Sequence, residues 1–366
     1  MDSTLMPICS AYKNLQQLLH SRPFKKLCVF LLLLPCDRTW AQKAPDVPLI
    51  SGGAGMLSST NEGFTFLQPV IAPLIVFPLG AHLLIESRTD LRGSYQQTDK
   101  TGPFQGSFTS TLEYLQADYI VNPHLTVTAG RFLTPFGTYN ERLTALWIRN
   151  LQDAPLIFAL GTRTSGSSDG VMLRGNVDAN SVVEVDNTAF FSIDKTSGQF
   201  QAGRAVGDRV GIFFPGTRLE IGTSFEHFLQ STSADTSHRN TEGAHLWWMP
   251  SRSPFQLRSE YAHGPHAEGY WAESTYRLSQ FGGQNSLVGR LEPVFRMQQT
   301  FRLSPGVGDG LPSANTKQAD FGFDYHLPHE VRLYTSYSRT FSTVNGNIWD
   351  ISLTYRFLTP VWKGAK

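Results

Sequence analysis

From residue 81 onward the chain sets apolar side chains at every second position, in segments of about ten residues. The last segment is the clearest. Trp349, Ile351, Leu353, Tyr355 and Phe357 fall on one face, with Asp350, Ser352, Thr354 and Arg356 on the other. Residues 331–342 repeat the pattern with Val331, Leu333 and Tyr337 against Arg332, Tyr334 and Ser336. Residues 318–326 set Phe321, Phe323 and Tyr325 against Asp320 and Asp324. A period of two predicts strands lying between two different environments. Further segments fall near 286–302, 268–280, 254–262, 240–249, 217–229, 207–214, 181–193, 168–177, 124–133, 106–121 and 81–96, which makes about fourteen strands. Parity is ambiguous in 106–121 and 240–249, so the count lies between twelve and sixteen. Arg131 falls on the apolar parity of its strand, which a bulge or a place at the rim would explain.

The connections carry the next signal. They alternate between tight (Val121-Asn122-Pro123-His124, Val177 to Ser181, Phe214-Pro215-Gly216-Thr217) and long (134–167, 194–207, 303–317), although 263–267 and 343–345 are short on the long side. Aromatics crowd the segment ends at Phe213-Phe214, Trp247-Trp248, Tyr270-Trp271 and Phe281. A soluble sandwich or propeller alternates too, but has no reason to keep its long loops on one side. Short periplasmic turns, longer outer loops and aromatic girdles predict an all-β, antiparallel transmembrane barrel over 81–357, with both ends of the barrel facing the periplasm. The apolar stretch Phe64 to Ile85 contains Pro69, Pro73 and Pro78 and so is no helix. Residues 42–80 are read as an extended lead-in in the periplasm or the barrel mouth, and 358–366 as a short tail.

Lys25 and Lys26 precede the apolar run Leu27 to Leu34 and the small-residue exit at Ala41, which predicts a cleaved signal peptide over 1–41. All three cysteines (Cys9, Cys28, Cys36) lie there, so the remainder can form no disulfide and no thiolate metal site. Removing the five basic and two acidic residues up to Ala41 from totals of 31 and 30 leaves a net charge of about −2. That argues against a nucleic-acid partner. The expected address is the outer membrane of a Gram-negative-type bacterium.

Residues 130–137 read Gly-Arg-Phe-Leu-Thr-Pro-Phe-Gly, followed by Glu141-Arg142-Leu143 and, after a long excursion, Gly170-Val171-Met172-Leu173-Arg174-Gly175. This resembles the phosphate-selective porin O/P-like family, in which the motif leads from a strand into a loop folded inside the channel. The resemblance implies a porin, sixteen strands, with 43–80 supplying two more than the pattern shows, and a homotrimer. The closing Tyr355-Arg356-Phe357 resembles the assembly signal of outer-membrane barrels. It implies the barrel assembly machinery as a partner, with Tyr355 and Phe357 as the residues recognised.

A diffusion channel needs a wet lumen and a charged narrowing. The loop 134–167 offers the narrowing, since its apolar run Pro155 to Leu160 seeks burial and its charged residues are Glu141, Arg142, Arg149, Asp153 and Arg163. By parity Arg88, Arg92, Arg174, Arg209, Arg218, Arg258, Arg290, Arg332 and Arg356 face the lumen. Glu86, Asp90, Glu184, Asp186, Glu220, Glu260, Glu292, Asp324 and Asp350 share that face. Arginines alone would make an anion ladder. Balanced by as many carboxylates, they read as transverse ion pairs holding the wall, and phosphate selectivity does not carry over. His263-Gly-Pro-His266 and His326-Leu-Pro-His329 are turn histidines with no third ligand, so no metal or cofactor is expected. His227, Asp235 and His238 could be cast as a rim catalytic set, but no motif supports them. The reading is a non-enzymatic barrel in outer-membrane lipid that passes small polar or ionic solutes. The alternatives are a non-conducting sheath or scaffold for a partner protein and, behind it, a barrel enzyme.

Overall fold

The computed structural model describes residues 47–159, 166–180, 182–194, 203–230, 239–304 and 310–360. The expected signal peptide therefore lies outside the described residues, as do Arg163, Asp235 and His238. Sixteen antiparallel strands close into one barrel. They are β1 (Leu49–Asn61), β2 (Phe64–Leu79), β3 (Leu83–Gln97), β4 (Phe104–Asn122), β5 (Leu125–Leu133), β6 (Ser167–Asn180), β7 (Val183–Asp194) and β8 (Gly203–Phe214). The ring continues with β9 (Leu219–Gln230), β10 (Arg239–Trp248), β11 (Phe255–His263), β12 (Ala267–Tyr276), β13 (Leu291–Arg302), β14 (Thr316–His326), β15 (Val331–Phe341) and β16 (Gly346–Pro360). Each strand pairs with its neighbours in sequence, and β1 closes on β16 from Leu49↔Pro360 to Asn61↔Ile348.

The fourteen expected strands are β3 to β16. The lead-in expected over 42–80 is instead β1 and β2, and the reason is physical. Their lumen face is not polar, because it packs against protein rather than water. Leu57 and Val70 are buried with Leu146 and Tyr334, and β1 puts Gly53 and Gly55 where side chains of the inner loop press. An apolar or side-chain-free inner face erases the alternation. Pro69 and Pro73 fit in β2 because the β2–β3 ladder skips them, and they have no N–H to give. Leu358 to Pro360, expected as tail, continue β16 against β1.

Orientation follows the alternation. Asp350, Ser352 and Thr354 are 2%, 1% and 2% exposed, whereas Ile351, Leu353 and Tyr355 are 60%, 48% and 46% exposed, so the apolar set faces out. The ambiguous parity of β4 has a cause. A bulge opposite Arg88/Thr89 adds one residue, so Leu115 and Tyr119 point outward below it while Leu112 and Phe108 point outward above it. Residues 277–290 depart from the short-turn rule, forming a connection with a 3-10 turn at Leu278–Phe281 at the end of the barrel that holds the termini. The expected strands 268–280 and 286–302 are shortened accordingly.

Candidate functional site: a loop packed into the barrel

The connection from β5 to β6 turns inward. Phe132 leaves β5 fully buried, Pro135 follows, and Gly137 takes φ +62°, a conformation that favours glycine. A Cβ there would also meet the Glu260 carboxylate at 2.7 Å. The chain then forms α1 (Tyr139–Leu143) inside the barrel. Glu260 anchors this entry. Its Oε1 accepts from the Thr138 backbone N–H, from Thr138 Oγ1 at 2.7 Å and from the Tyr139 N–H at 2.6 Å, while Trp271 Nε1 donates to Oε2 at 3.2 Å. Changing Glu260 to Ala should cost about 1–3 kcal/mol for each buried donor left unpaired. Thermal unfolding of the purified barrel should fall with the alanine and largely recover with Glu260→Gln, which keeps one acceptor.

The rest of the loop lies along the β10–β16 and β1 wall. Phe136, Tyr139, Leu143 and Ile157 are buried with Ala262, Ala267 and Trp271. The wall is shaped for them. Glycines stand opposite large loop side chains, Gly243 facing Phe136, Gly269 facing Ile157, Gly322 facing Leu151 and Gly53 facing Trp147. Polar bonds fix the register. Asn150 Nδ2 donates to Glu273 at 2.9 Å, the Leu156 N–H to Gln298 Oε1 at 2.8 Å, and Ser352 Oγ to Gln152 Oε1 at 2.6 Å. The inward face of β10 carries Trp247 for the same reason, since it packs against the loop cluster. The ambiguity of 240–249 arises there.

Two cavities line the opposite wall. One of about 160 Å³ is bounded by Asp90, Arg92, Glu113, Tyr139 and Arg149. Another, of about 470 Å³ and nearer the termini, is bounded by Glu86, Tyr114, Asp118, Glu141, Arg142 and Arg174. Arg88 and Leu133 border both. Arg88 ion-pairs with Glu113 and donates to Thr144 Oγ1 at 3.2 Å, so a wall residue, the β4 bulge and the loop meet at the boundary between the cavities.

Many of the expected charged residues pair across the lumen or with the loop. Glu141 accepts from Arg174 and, at 2.9 Å, from Arg209, which also reaches Asp186 at 3.3 Å. Arg142 donates to Glu220 at 2.5 Å and lies 5.6 Å from the Trp247 ring centre. Arg92 pairs with Asp90 at 2.6 Å. Arg258 meets Glu273 at 3.5 Å, and Arg332 pairs with Asp324 and donates to the Trp147 carbonyl at 3.1 Å. Transverse pairing, rather than a free ladder, describes these residues. Arg149 differs. It has no ion pair among the described residues, and its Nε is buried without an acceptor. Beside it, the Tyr139 hydroxyl is also buried and unbonded, with burial pushing the phenol pKa up so that it stays a neutral donor. The Asp153 side chain is exposed, while its carbonyl accepts from Arg296 Nη1 at 3.0 Å.

Two expected lumen arginines are not in the wall, and a third stands at its rim. Arg218 sits in the exposed β8–β9 turn at φ +52°, because Leu219 rather than Thr217 begins β9. Arg290 ends the 277–290 connection. Arg356 lies at the rim, half exposed and 4.0 Å from Glu330. Tyr355 and Phe357 point outward near that rim, their ring centres 6.4 Å apart. Arg131 is outward too, and no bulge interrupts the ladder at its position.

No protein-family model matches the sequence, and no curated protein matches it. Solved structures do share its shape. OmpF of Salmonella typhi, in complex with daunomycin, aligns over 86% of this chain and 100% of its own with TM-score 0.58 and 11% identity. OprB of Pseudomonas putida at low pH aligns over 92% and 98% with TM-score 0.56 and 10% identity. The fold is that of the outer-membrane porins. A loop-deletion mutant of OmpT, an outer membrane protein of Vibrio cholerae, aligns over 85% and 100% with TM-score 0.52 and 10% identity.

Proposed function

We propose that this chain is an outer-membrane channel of a Gram-negative-type bacterium, passing small polar or ionic solutes by diffusion, with the 134–166 loop as its narrowing. The carrying observation is the division of the lumen. The loop packs its apolar side chains against the β10–β16 side, and two cavities lined by charged groups lie on the β3–β8 side. A charged, water-accessible narrowing beside a low-dielectric wall is what a diffusion filter requires. The porin fold supports the reading. The Gly130–Gly137 segment resembles that of the phosphate-selective porins, and here its residues serve to turn the loop inward; the paired lumen charges give phosphate no special place. The barrel is non-enzymatic in this reading. Liposomes carrying the purified protein should swell in isotonic solutions of small sugars and amino acids. Failure to swell with every solute would count against it.

Insertion should depend on the closing strand. Phe357 packs beside Gly52 on β1, and the β1–β16 ladder runs on to Pro360. Phe357→Ala should therefore reduce recovery from outer membranes more than removal of residues 361–366. The opposite order, measured by fractionation and immunoblot, would contradict the role given to this aromatic as a signal for the barrel assembly machinery.

A further inference from the structure

Three successive connections at the end of the barrel that holds the termini, 215–218, 249–254 and 277–290, contain Arg218, Arg252, Arg277 and Arg290 and no carboxylate or lysine. Hydrogen bonds join them into one platform. The Met249 N–H donates to the Arg218 carbonyl at 3.0 Å and Trp248 Nε1 to the Thr217 carbonyl at 3.2 Å. Gln280 Nε2 donates to the Arg252 carbonyl at 3.4 Å and the Arg277 N–H to the Pro254 carbonyl at 3.5 Å. Unlike the wall arginines that pair with lumen carboxylates, these four have no ion pair among the described residues, and Arg218 and Arg252 are exposed. The 277–290 connection also holds apolar side chains in the open, with Phe281, Leu287 and Val288 at 71%, 77% and 51% exposure. It is a built turn, since Ser286 Oγ donates to the Gly283 carbonyl at 3.0 Å and accepts from the Gly289 N–H at 2.8 Å. Its direction is set by Tyr276, which ends β12 on the outward parity because Trp271, Glu273 and Thr275 are buried inward. The Tyr276 hydroxyl donates to Gln280 Oε1 at 3.0 Å, and the Phe281 ring centre lies 6.4 Å from that of Tyr276. The connection therefore leans to the outer side of the wall.

Water is a poor solvent for three large exposed apolar side chains, and unpaired cations along one rim repel each other. One environment suits both. At a bilayer surface apolar side chains enter the boundary between headgroups and acyl chains, and basic side chains meet the charged headgroups. We propose that the platform formed by these three connections docks on anionic phospholipids of the periplasmic leaflet, with Phe281, Leu287 and Val288 in the headgroup boundary and the four arginines on the lipid phosphates. The guanidinium fork matches phosphate oxygens. An anionic headgroup also brings the net negative charge that a rim without carboxylates lacks, which a zwitterionic headgroup does not. Free phosphate would satisfy the arginines but leave the apolar side chains in water, so lipid accounts for both halves of the surface. The contact anchors the β8–β13 side of the barrel at a fixed height in the membrane.

The proposal rests on the reading of the barrel as membrane-spanning, and the two can fail separately. Residues 42–366 contain no cysteine, so Leu287→Cys and, separately, Leu353→Cys each give the barrel one site for a nitrobenzoxadiazole label. The labelled proteins are reconstituted in vesicles of phosphatidylcholine and phosphatidylglycerol. A label at 353, on the outward face of β16, should be quenched by nitroxide-bearing lipid and shielded from aqueous iodide. Iodide quenching at 353 overturns the membrane reading and the proposal with it. The label at 287 should behave as the one at 353, and iodide quenching there with 353 shielded overturns the proposal alone. Electron spin resonance of chain-labelled lipids then reads the headgroup preference. Wild type should hold phosphatidylglycerol at its perimeter several-fold more strongly than phosphatidylcholine. The Arg218→Gln/Arg252→Gln variant should lose most of that preference while heat-modifiable gel migration shows the barrel still closed, since neither side chain makes a hydrogen bond or ion pair among the described residues. Equal association of the two lipids with wild type, or an undiminished preference in the folded variant, overturns the proposal.

Discussion

Deleting residues 139–157 should raise single-channel conductance several-fold. The segment contains α1 and the start of the apolar run, with Tyr139, Leu143 and Ile157 packed among Ala262, Ala267 and Trp271, and it fills the lumen beside β10–β16. Its removal leaves a sixteen-strand wall whose ladder it does not contribute to, so the barrel should still close. Stability should fall, because Tyr139, Leu143, Leu146, Leu151 and Ile157 are all buried, and each such side chain is worth about 1.5–3 kcal/mol of burial. The expected pair of results is thus a lower melting temperature with a larger conductance. A folded deletion protein of unchanged conductance would place the resistance to ion flow elsewhere in the barrel.

The second large effect concerns sign. Replacing Arg142 and Arg149 together with Gln should lower the ratio of anion to cation permeability several-fold. The two act differently. Arg149, beside the smaller cavity, has no ion pair among the described residues, so its loss removes a positive charge outright. Arg142 neutralises Glu220, whose other contact is His245 at 3.3 Å, so its loss also exposes a carboxylate to the path. The flank of the narrowing is apolar and buried, which weakens screening and strengthens both changes. Reversal potentials across a salt gradient read the result directly. An unmoved reversal potential in a folded double variant would show that ions do not pass these groups.

Much of this was legible along the chain, and the gaps have identifiable causes. Strands with water on one side and an apolar environment on the other alternate cleanly, so β14, β15 and β16 could be placed to within a few residues. The strands β1 and β2 could not, because Gly53, Gly55, Val70 and Ala72 answer to the loop rather than to water. Parity failed in β4 at the bulge beside Glu113, and that same bulge brings Glu113 to Arg88. The inward loop was announced by Pro155 to Leu160 and by its charged neighbours. The role of Glu260 was not, since parity gives a face but no height. Nothing in a strand's sequence states which lumen carboxylate will meet a loop entering from strands six positions away. The recurrence of glycine on inward positions of β1, β10, β12 and β14 was the available sign of a packed lumen, because a water-filled wall has no need to delete side chains.

The central claim is that the purified barrel is an open channel narrowed by its own loop, and single-channel recording in planar lipid bilayers tests it most directly. The account predicts discrete, ohmic openings from folded wild-type protein, with conductance set by the space between the loop and the β3–β8 wall. Folded protein that inserts and gives no current would contradict it and favour a barrel that serves as a sheath or scaffold for a partner.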